Sequence, residues 1–288
     1  MLARPRLRLR RPLPGTRTPI ATTHPRGSMA LAPYHSILYG PIRSRRFGIS
    51  LGINLTPTPR TGCGADCLYC KTGYASAVPI VSRAHILPSA GLIVTNAARR
   101  IIEIQKAGEK IEGVTVSGTG DPTMHPNLLE ISENLRDLKA KWFPKAKLNL
   151  LSPSEALSCP ELRAVCAVYD RAVFTFEWGT AKTYETFRPK ATLDYKTLVE
   201  RFQPLDRWSA EATFVQGALD NSNDREVLAW IKKIEELRPK DVYVLTMAGK
   251  GKGGVKPVSA AKLEEIAAKL LEKTGIQSHV IAREAQPV

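Results

Sequence analysis

Residues 48–70 read GISLGINLTPTPRTGCGADCLYC, a β-type run that leads into a loop with three cysteines. The run Gly48–Leu55 predicts a strand because it is short, apolar and bounded by a turn-forming segment. The loop starts at Thr56, and Gly62 and Gly64 flank its first cysteine, where a missing side chain lets the backbone wrap closely. We therefore expect the cysteines to lie just beyond the C-terminal end of a first strand.

The three cysteines, Cys63, Cys67 and Cys70, have the spacing C-x3-C-x2-C. Three thiolates in one short loop can converge on a single soft metal centre. A [4Fe–4S] cluster contains four irons, which four cysteines usually hold. Three cysteine ligands would leave one iron open to a chelating small molecule. The spacing therefore predicts a [4Fe–4S] cluster with one open iron.

A zinc site is the main alternative for this loop. Structural zinc takes four protein ligands, and these usually come as closely spaced pairs. The fourth would have to be His85, His125, Cys159 or Cys166, none of which is paired at a typical spacing. Three unrelated buried cysteines are a second alternative. The polar, glycine-rich loop favours the cluster.

The rest of the chain alternates between β-type runs and helix-length segments. The predicted helices are Leu92–Gln105, Asn127–Trp142, Pro160–Val168, Thr180–Phe187, Tyr195–Phe202, Asp224–Leu237 and Ala260–Lys273. The further predicted strands are Lys110–Ser117, Lys147–Leu151, Ala172–Glu177, Glu211–Gln216, Asp241–Met247 and Gln277–Ile281. Such alternation implies parallel strands with helices packed outside. Six units and a terminal strand predict an α/β fold, a partial (β/α)6 barrel, with an open doubly wound sheet as the alternative.

Functional residues of such folds lie at the C-terminal ends of the parallel strands. Gly118, Thr119, Gly120 and Asp121 follow the strand Lys110–Ser117. Two further candidates are Ser152 and Glu177, which end the next two strands. Strand alternation places Glu177 on the same side as Val173 and Thr175, opposite Phe174, Phe176 and Trp178. A solvated carboxylate at a strand end would explain Glu177 equally well.

The cysteine spacing resembles the signature of the radical S-adenosylmethionine (SAM) superfamily. The resemblance implies that Tyr69, before the third cysteine, lies near the adenine of SAM. It also implies that the stretch Gly118–Asp121 contacts the amino group of SAM. Here Thr119 interrupts the glycines, and Asp121 replaces the glutamate of the family. Ser152 is expected to meet the ribose, and Glu177 to line the same cofactor site.

A narrower resemblance covers about residues 40–280. Ser44-Arg45-Arg46, Gly52–Leu55 and Ser117–Pro126 resemble Fe–S oxidoreductases related to the wyosine-forming tRNA enzyme. That enzyme carries a second cluster on upstream cysteines, whereas no cysteine precedes Cys63 here, which argues against wyosine chemistry. The resemblance implies reductive cleavage of SAM to a 5′-deoxyadenosyl radical, which takes hydrogen from a substrate. It also implies a flavodoxin or ferredoxin as electron donor.

The net charge of the chain is +15, and seven arginines without any acid lie in residues 1–28. This segment is predicted to be a disordered tail, a transit peptide or the product of a mis-assigned start before Met29. Residues 29–288 are predicted to form one domain. The basic balance favours an anionic partner, such as tRNA or another phosphate-bearing substrate. Five cysteines without a secretory signal indicate the cytoplasm, and no apolar run is long enough for a membrane span.

Two other functions remain open at this stage. The first is an activase that installs a glycyl radical on a partner protein. The second is a non-catalytic, zinc-containing protein that binds nucleic acid. Among further residues, His125 is expected to cap or pack rather than to transfer protons. The glycine loop 249–254, with Lys256 beyond it, could hold a phosphate or carboxylate of the substrate, but a solvated loop is favoured. Arg45 and Arg46 are expected to face either an anion or the solvent.

Overall fold

The computed structural model describes five ranges of the chain, which are residues 36–57, 66–70, 87–153, 157–247 and 252–282. The predicted tail at residues 1–28 and the first cysteine, Cys63, lie outside these ranges. The division into a tail and one domain therefore stays a prediction.

A single curved sheet organises the described ranges. Its strands are β1 Leu38–Ser44, β2 Gly48–Ile53, β3 Gly113–Val116, β4 Lys147–Ser152, β5 Arg171–Thr175, β6 Ser209–Gly217, β7 Val242–Thr246, β8 Val255–Pro257 and β9 Ser278–Ile281. Strands β2 to β7 and then β9 are parallel neighbours in that order. β1 pairs antiparallel with β2, and β8 with the end of β6. The sheet is a half-barrel, which confirms the predicted partial barrel.

Helices cover the outer face of the half-barrel. They are α1 Ala90–Lys106, α2 Leu128–Trp142, α3 Cys159–Val168, α4 Ala181–Phe187, α5 Tyr195–Phe202, α6 Asp224–Leu237 and α7 Ala260–Thr274. Each packs through an apolar stripe at helical spacing, as α1 does with Ile93, Ala97, Ile101 and Ile104. All seven lie within two residues of the predicted bounds.

Side chains of the strands alternate between the helix-covered face and the concave face. Phe174, Phe176 and Trp178 are fully buried in the large core under the helices. Val173 instead joins a second apolar cluster, which includes Tyr243. This confirms the predicted alternation along β5, and it places Glu177 on the concave side.

The turn between β1 and β2 covers the half-barrel at the N-terminal ends of its parallel strands. Arg46 in this turn forms a bidentate ion pair with Glu211 of β6, through Nε to Oε2 and through Nη2 to Oε1 at 2.9 Å. The ring of Phe47 packs edge-on against Tyr243 at 5.9 Å. The anion that Arg46 faces is therefore the carboxylate of Glu211 in the same sheet.

Two glycines make a matched test of the packing. A methyl group on Gly179 would overlap the backbone of Ala229 and Trp230 in α6, whereas one on Gly91 would meet nothing within 4 Å. Gly179→Ala is expected to lower the free energy of unfolding by about 1–3 kcal/mol, the range for overpacking. Gly91→Ala is expected to raise it by up to about 0.5 kcal/mol, because alanine favours helix. Denaturant unfolding of both variants measures the difference, and equal stabilities would contradict the packing.

Candidate functional site

The cysteine loop is described at residues 66–70, next to the C-terminal ends of the parallel strands. The backbone N–H of Cys70 donates to the carbonyl oxygen of Cys67 at 3.0 Å, which closes a tight turn. Asp66 enters this turn in the left-handed region, at φ +53°. Cys67 is buried and Cys70 is half-buried. The turn therefore brings two of the three predicted ligands onto one short segment.

Cys63 lies outside the described residues, and with it one third of the predicted ligand set. Within the described ranges, no three histidine, cysteine or acidic side chains gather into a metal site. The assignment of Cys63, Cys67 and Cys70 to a cluster therefore stays a prediction.

Hydrogen bonds tie the start of the cysteine loop to the segment that follows β3. Thr119 Oγ1 donates to the carbonyl oxygen of Thr56 at 2.6 Å, and the N–H of Gly120 donates to Thr56 Oγ1 at 3.1 Å. Asn54 Oδ1 accepts from the N–H of Thr56 at 3.0 Å. Gly118 is required here, since any Cβ at this position would overlap the Asn54 side chain. The predicted glycine stretch is thus joined to Thr56, the first residue of the predicted cysteine loop.

Asp121 and Ser152 are brought into direct contact. Ser152 Oγ, at the end of β4, donates to Asp121 Oδ1 at 2.5 Å. The N–H of Thr123 donates to the same oxygen at 2.9 Å, so Asp121 also caps the short 3-10 turn Pro122–Met124. Both side chains are buried, and burial raises the pKa of Asp121. Both residues were predicted as cofactor contacts, and that role stays a prediction; the structure shows that the serine also orients the carboxylate.

Glu177 joins the cysteine loop to two strands. Its Oε1 accepts a hydrogen bond from the hydroxyl of Tyr69, and its Oε2 accepts from the N–H of Thr213 in β6 at 2.8 Å. Glu177 is 1% exposed, which excludes the solvated carboxylate considered above. Burial raises the pKa of Glu177 to about 8 and that of the Tyr69 hydroxyl well above its usual value.

The raised pKa of Glu177 predicts a pH dependence of stability. The folded chain keeps this proton up to about pH 8, whereas the unfolded chain releases it near pH 4.3. The free energy of unfolding should therefore fall as pH rises from about 4.3 toward 8, by about 1.4 kcal/mol per pH unit for one proton between these two pKa values. Glu177→Gln should flatten that slope in metal-free protein, measured by urea unfolding. A slope unchanged in the variant would assign the effect to another group.

The end of α4 covers the cysteine loop. The ring of Phe187 lies 6.4 Å from that of Tyr69, and Lys190 Nζ lies 3.5 Å from Asp66 Oδ2. Between them, the buried guanidinium of Arg188 stacks over Trp178 at 5.1 Å. The positive charge of Arg188 lowers the pKa of Asp121 and of Tyr69, against the larger effect of burial. This covering segment brings a cation close to both candidate groups.

Three of these residues were absent from the sequence prediction. Arg188 follows a short helix and precedes a proline, which carries no signal of a site. Thr213 acts through its backbone, which a side-chain pattern does not reveal. Asn54 directly follows β2, and this position at the C-terminal end of a parallel strand could have marked it as a site residue.

His125 has a structural role, which confirms the expectation from the sequence. Its Nδ1 accepts from the N–H of Asn127 at 3.1 Å, and its Nε2 lies 2.9 Å from the carbonyl oxygen of Pro88. Burial lowers its pKa. With both ring nitrogens engaged, the imidazole links the start of α2 to the segment before α1.

The glycine loop 249–254 is described only from residue 252. Its end leads into β8, where Val255 is buried in the main core and pairs with Gly217. Within the loop, Gly253 and Gly254 are exposed, which agrees with the predicted solvated loop, and β8 begins only after it. In the described part of the chain, no helix is both long and apolar enough to cross a membrane.

Comparisons with known proteins agree with this fold. No protein-family model matches the chain. A UPF0026 protein of Helicobacter pylori is 26% identical over 210 residues, which are 70% of this chain and 64% of that protein. The chain thus spans less than two thirds of the length of this relative.

Solved structures share the architecture at low sequence identity. A radical SAM methyltransferase from Sphaerobacter thermophilus gives a TM-score of 0.60 at 12% identity, over 80% of this chain and 65% of that one. SuiB of Streptococcus suis bound to S-adenosylmethionine gives 0.54 at 10% identity, over 77% of this chain and 48% of that one. The half-barrel is therefore a fold that radical SAM enzymes use.

Proposed function

We propose that this chain is a radical SAM enzyme that binds a [4Fe–4S] cluster through Cys63, Cys67 and Cys70. The main support is the joining of Tyr69, inside the cysteine turn, to the buried Glu177 at the C-terminal edge of the half-barrel. This links the thiols to the edge where such folds carry out chemistry.

The donor set suits an iron–sulfur cluster. Thiolates are the ligands that such clusters prefer, and the loop supplies them at one end of the sheet. The buried Asp121 offers a carboxylate that could receive an amino group, oriented by Ser152. An ammonium partner would favour the ionised form of Asp121 against the effect of burial. These residues fit a cofactor that carries both an amino group and a chelating function.

The roles of the chain follow from these contacts. When bound, the reduced cluster supplies the electron that splits SAM into methionine and a 5′-deoxyadenosyl radical. The carbonyl oxygens of Thr119 and Gly120 would accept from the amino group of SAM, while Tyr69 would flank its adenine. The packing of Phe187 and Arg188 over the loop would exclude water from the centre. The substrate would donate a hydrogen atom at this same edge.

The charge of the chain supports an anionic substrate, such as tRNA or another phosphate-bearing molecule. A net charge of +15 raises the local concentration of polyanions. A flavodoxin or ferredoxin would serve as the one-electron donor. Both partners are proposals from chemistry and charge.

Anaerobic reconstitution tests the proposed function. The protein should turn brown, hold about four irons and four sulfides per chain, and release 5′-deoxyadenosine from SAM when dithionite is added. Candidate substrates labelled with deuterium should transfer the label to 5′-deoxyadenosine. A colourless protein with one tetrahedral zinc and no cleavage of SAM would overturn the proposal.

A further inference from the structure

Within the cysteine turn, residues 66–70, the side chain of Tyr69 forms a hydrogen bond to a residue just beyond the end of a neighbouring strand. It lies between Cys67 and Cys70, so any constraint on Tyr69 also constrains the backbone of both. The partner of its hydroxyl is the carboxyl group of Glu177, which follows β5. The contact joins segments 108 residues apart.

We propose that Glu177 is a positioning residue, which holds the cysteine turn in its binding geometry through the hydroxyl of Tyr69. This inference rests on the proposed function and adds to it. Glu177 was expected to contact the cofactor itself. Both of its oxygens instead accept hydrogen bonds from the protein, one from Tyr69 and one from Thr213. The carboxyl group therefore acts on the cofactor site through Tyr69.

Glu177 is itself held firmly, as a positioning residue must be. Its backbone carbonyl accepts from Asn221 Nδ2 at 3.5 Å. The same amide donates to the carbonyl oxygen of Thr213 at 3.0 Å, and Asn221 Oδ1 accepts from the N–H of Val215 at 2.8 Å. Asn221 is buried. Asn221 thus fixes the end of β5 to β6, and this also restricts the position of the Glu177 carboxyl group.

The other end of the contact is equally constrained. The ring of Tyr69 packs against Phe187, which is 2% exposed. Tyrosine has only two side-chain torsions, so packing of the ring and one hydrogen bond at its tip define its position. Without the hydroxyl contact, the ring keeps its packing but loses its orientation. The loss would also leave an oxygen of Glu177 buried without its donor.

A matched pair of tyrosines tests this role. Tyr69→Phe removes the hydroxyl that contacts Glu177. Tyr169→Phe is the control, because the buried Tyr169 hydroxyl also has one partner, Ser132 Oγ at 2.7 Å, under the helices. Each variant loses one hydrogen bond to a buried side chain, Glu177 or Ser132, so their losses of stability should be similar. Only the first should alter the cofactor site.

The measurements use reconstituted, full-length protein and SAM. For Tyr69→Phe, we expect the Michaelis constant for SAM to rise about tenfold, the effect of one lost hydrogen bond. The electron paramagnetic resonance spectrum of the reduced cluster with SAM should change as well. Glu177→Met should do the same, because its thioether cannot replace the carboxyl group in the hydrogen bonds with Tyr69 and Thr213. In the double variant, the Michaelis constant for SAM should rise no further than in the stronger single variant, because both changes remove the same interaction.

The outcomes separate the two proposals. A wild-type chain that binds no cluster would overturn the proposed function. A wild-type chain with a cluster, together with a Tyr69→Phe variant that has the wild-type spectrum and Michaelis constant, would overturn only the positioning role. That role also fails if Tyr169→Phe shifts these quantities as much, or if the effects of Tyr69→Phe and Glu177→Met add.

Discussion

Replacing Cys67 with alanine is expected to abolish cluster binding and the cleavage of SAM. Cys67 is buried in the turn of the cysteine loop, and it provides one of three thiolates for the cluster. Two thiolates cannot hold three irons of a cube, so iron and sulfide should fall to background after reconstitution. Formation of 5′-deoxyadenosine should fall below detection.

Cys166 provides the matched control for this change. Its thiol is buried in α3, and burial raises its pKa to about 12, which makes it a poor ligand and nucleophile. Cys166→Ala should keep the full iron content and the full cleavage rate, with at most a modest loss of stability. Iron retained by Cys67→Ala at the wild-type level would remove this cysteine from the ligand set.

Asp121→Asn is expected to slow the cleavage of SAM by about a hundredfold, the usual effect of losing one preorganised electrostatic contact. The asparagine oxygen can still accept from Ser152 and from the N–H of Thr123, so the fold around the 3-10 turn should persist. What the variant lacks is the negative charge that would hold the amino group of SAM. Most of the loss should therefore appear as weaker binding of SAM, measured by equilibrium dialysis.

Asp170 is the control for Asp121. Its carboxylate accepts from the backbone of Leu148 at 2.8 Å and lies near Lys139, at the N-terminal ends of the strands. Asp170→Asn should change stability slightly and leave the cleavage of SAM unchanged. If both variants bind SAM as the wild type does, Asp121 has no role in holding the cofactor.

The helices and parallel strands could be predicted because their apolar periods are long and clear. The stripe of α1 repeats at helical spacing, and the run of β7 is short and rich in β-branched and aromatic residues, which favours a strand. β1 was missed because Gly40 and Pro41 interrupt it, and such a break is tolerated only at the edge of a sheet. β8 was missed because it has three residues and follows a glycine-rich loop. Pairing at an edge depends on the neighbouring strand, which a local pattern does not contain.

The site could be predicted as a set of positions but not as a set of contacts. The end of each strand marked Asp121, Ser152 and Glu177 as candidates. Which of them bond to one another depends on the distance between neighbouring loops. Ser152 therefore reaches Asp121, and Glu177 reaches Tyr69. Arg188 escaped notice because its role comes from the packing of α4 over the loop rather than from a motif.

The curved sheet stops at β1 and β9, each of which has one neighbouring strand among the described residues. A closed barrel admits only molecules that fit through the opening at its end. The half-barrel formed by the described residues is an arc, which imposes no such size limit along its open side. A single nucleotide or side chain that projects from a bulky macromolecule could thus reach the thiol-lined edge while the bulk of that reactant stayed outside.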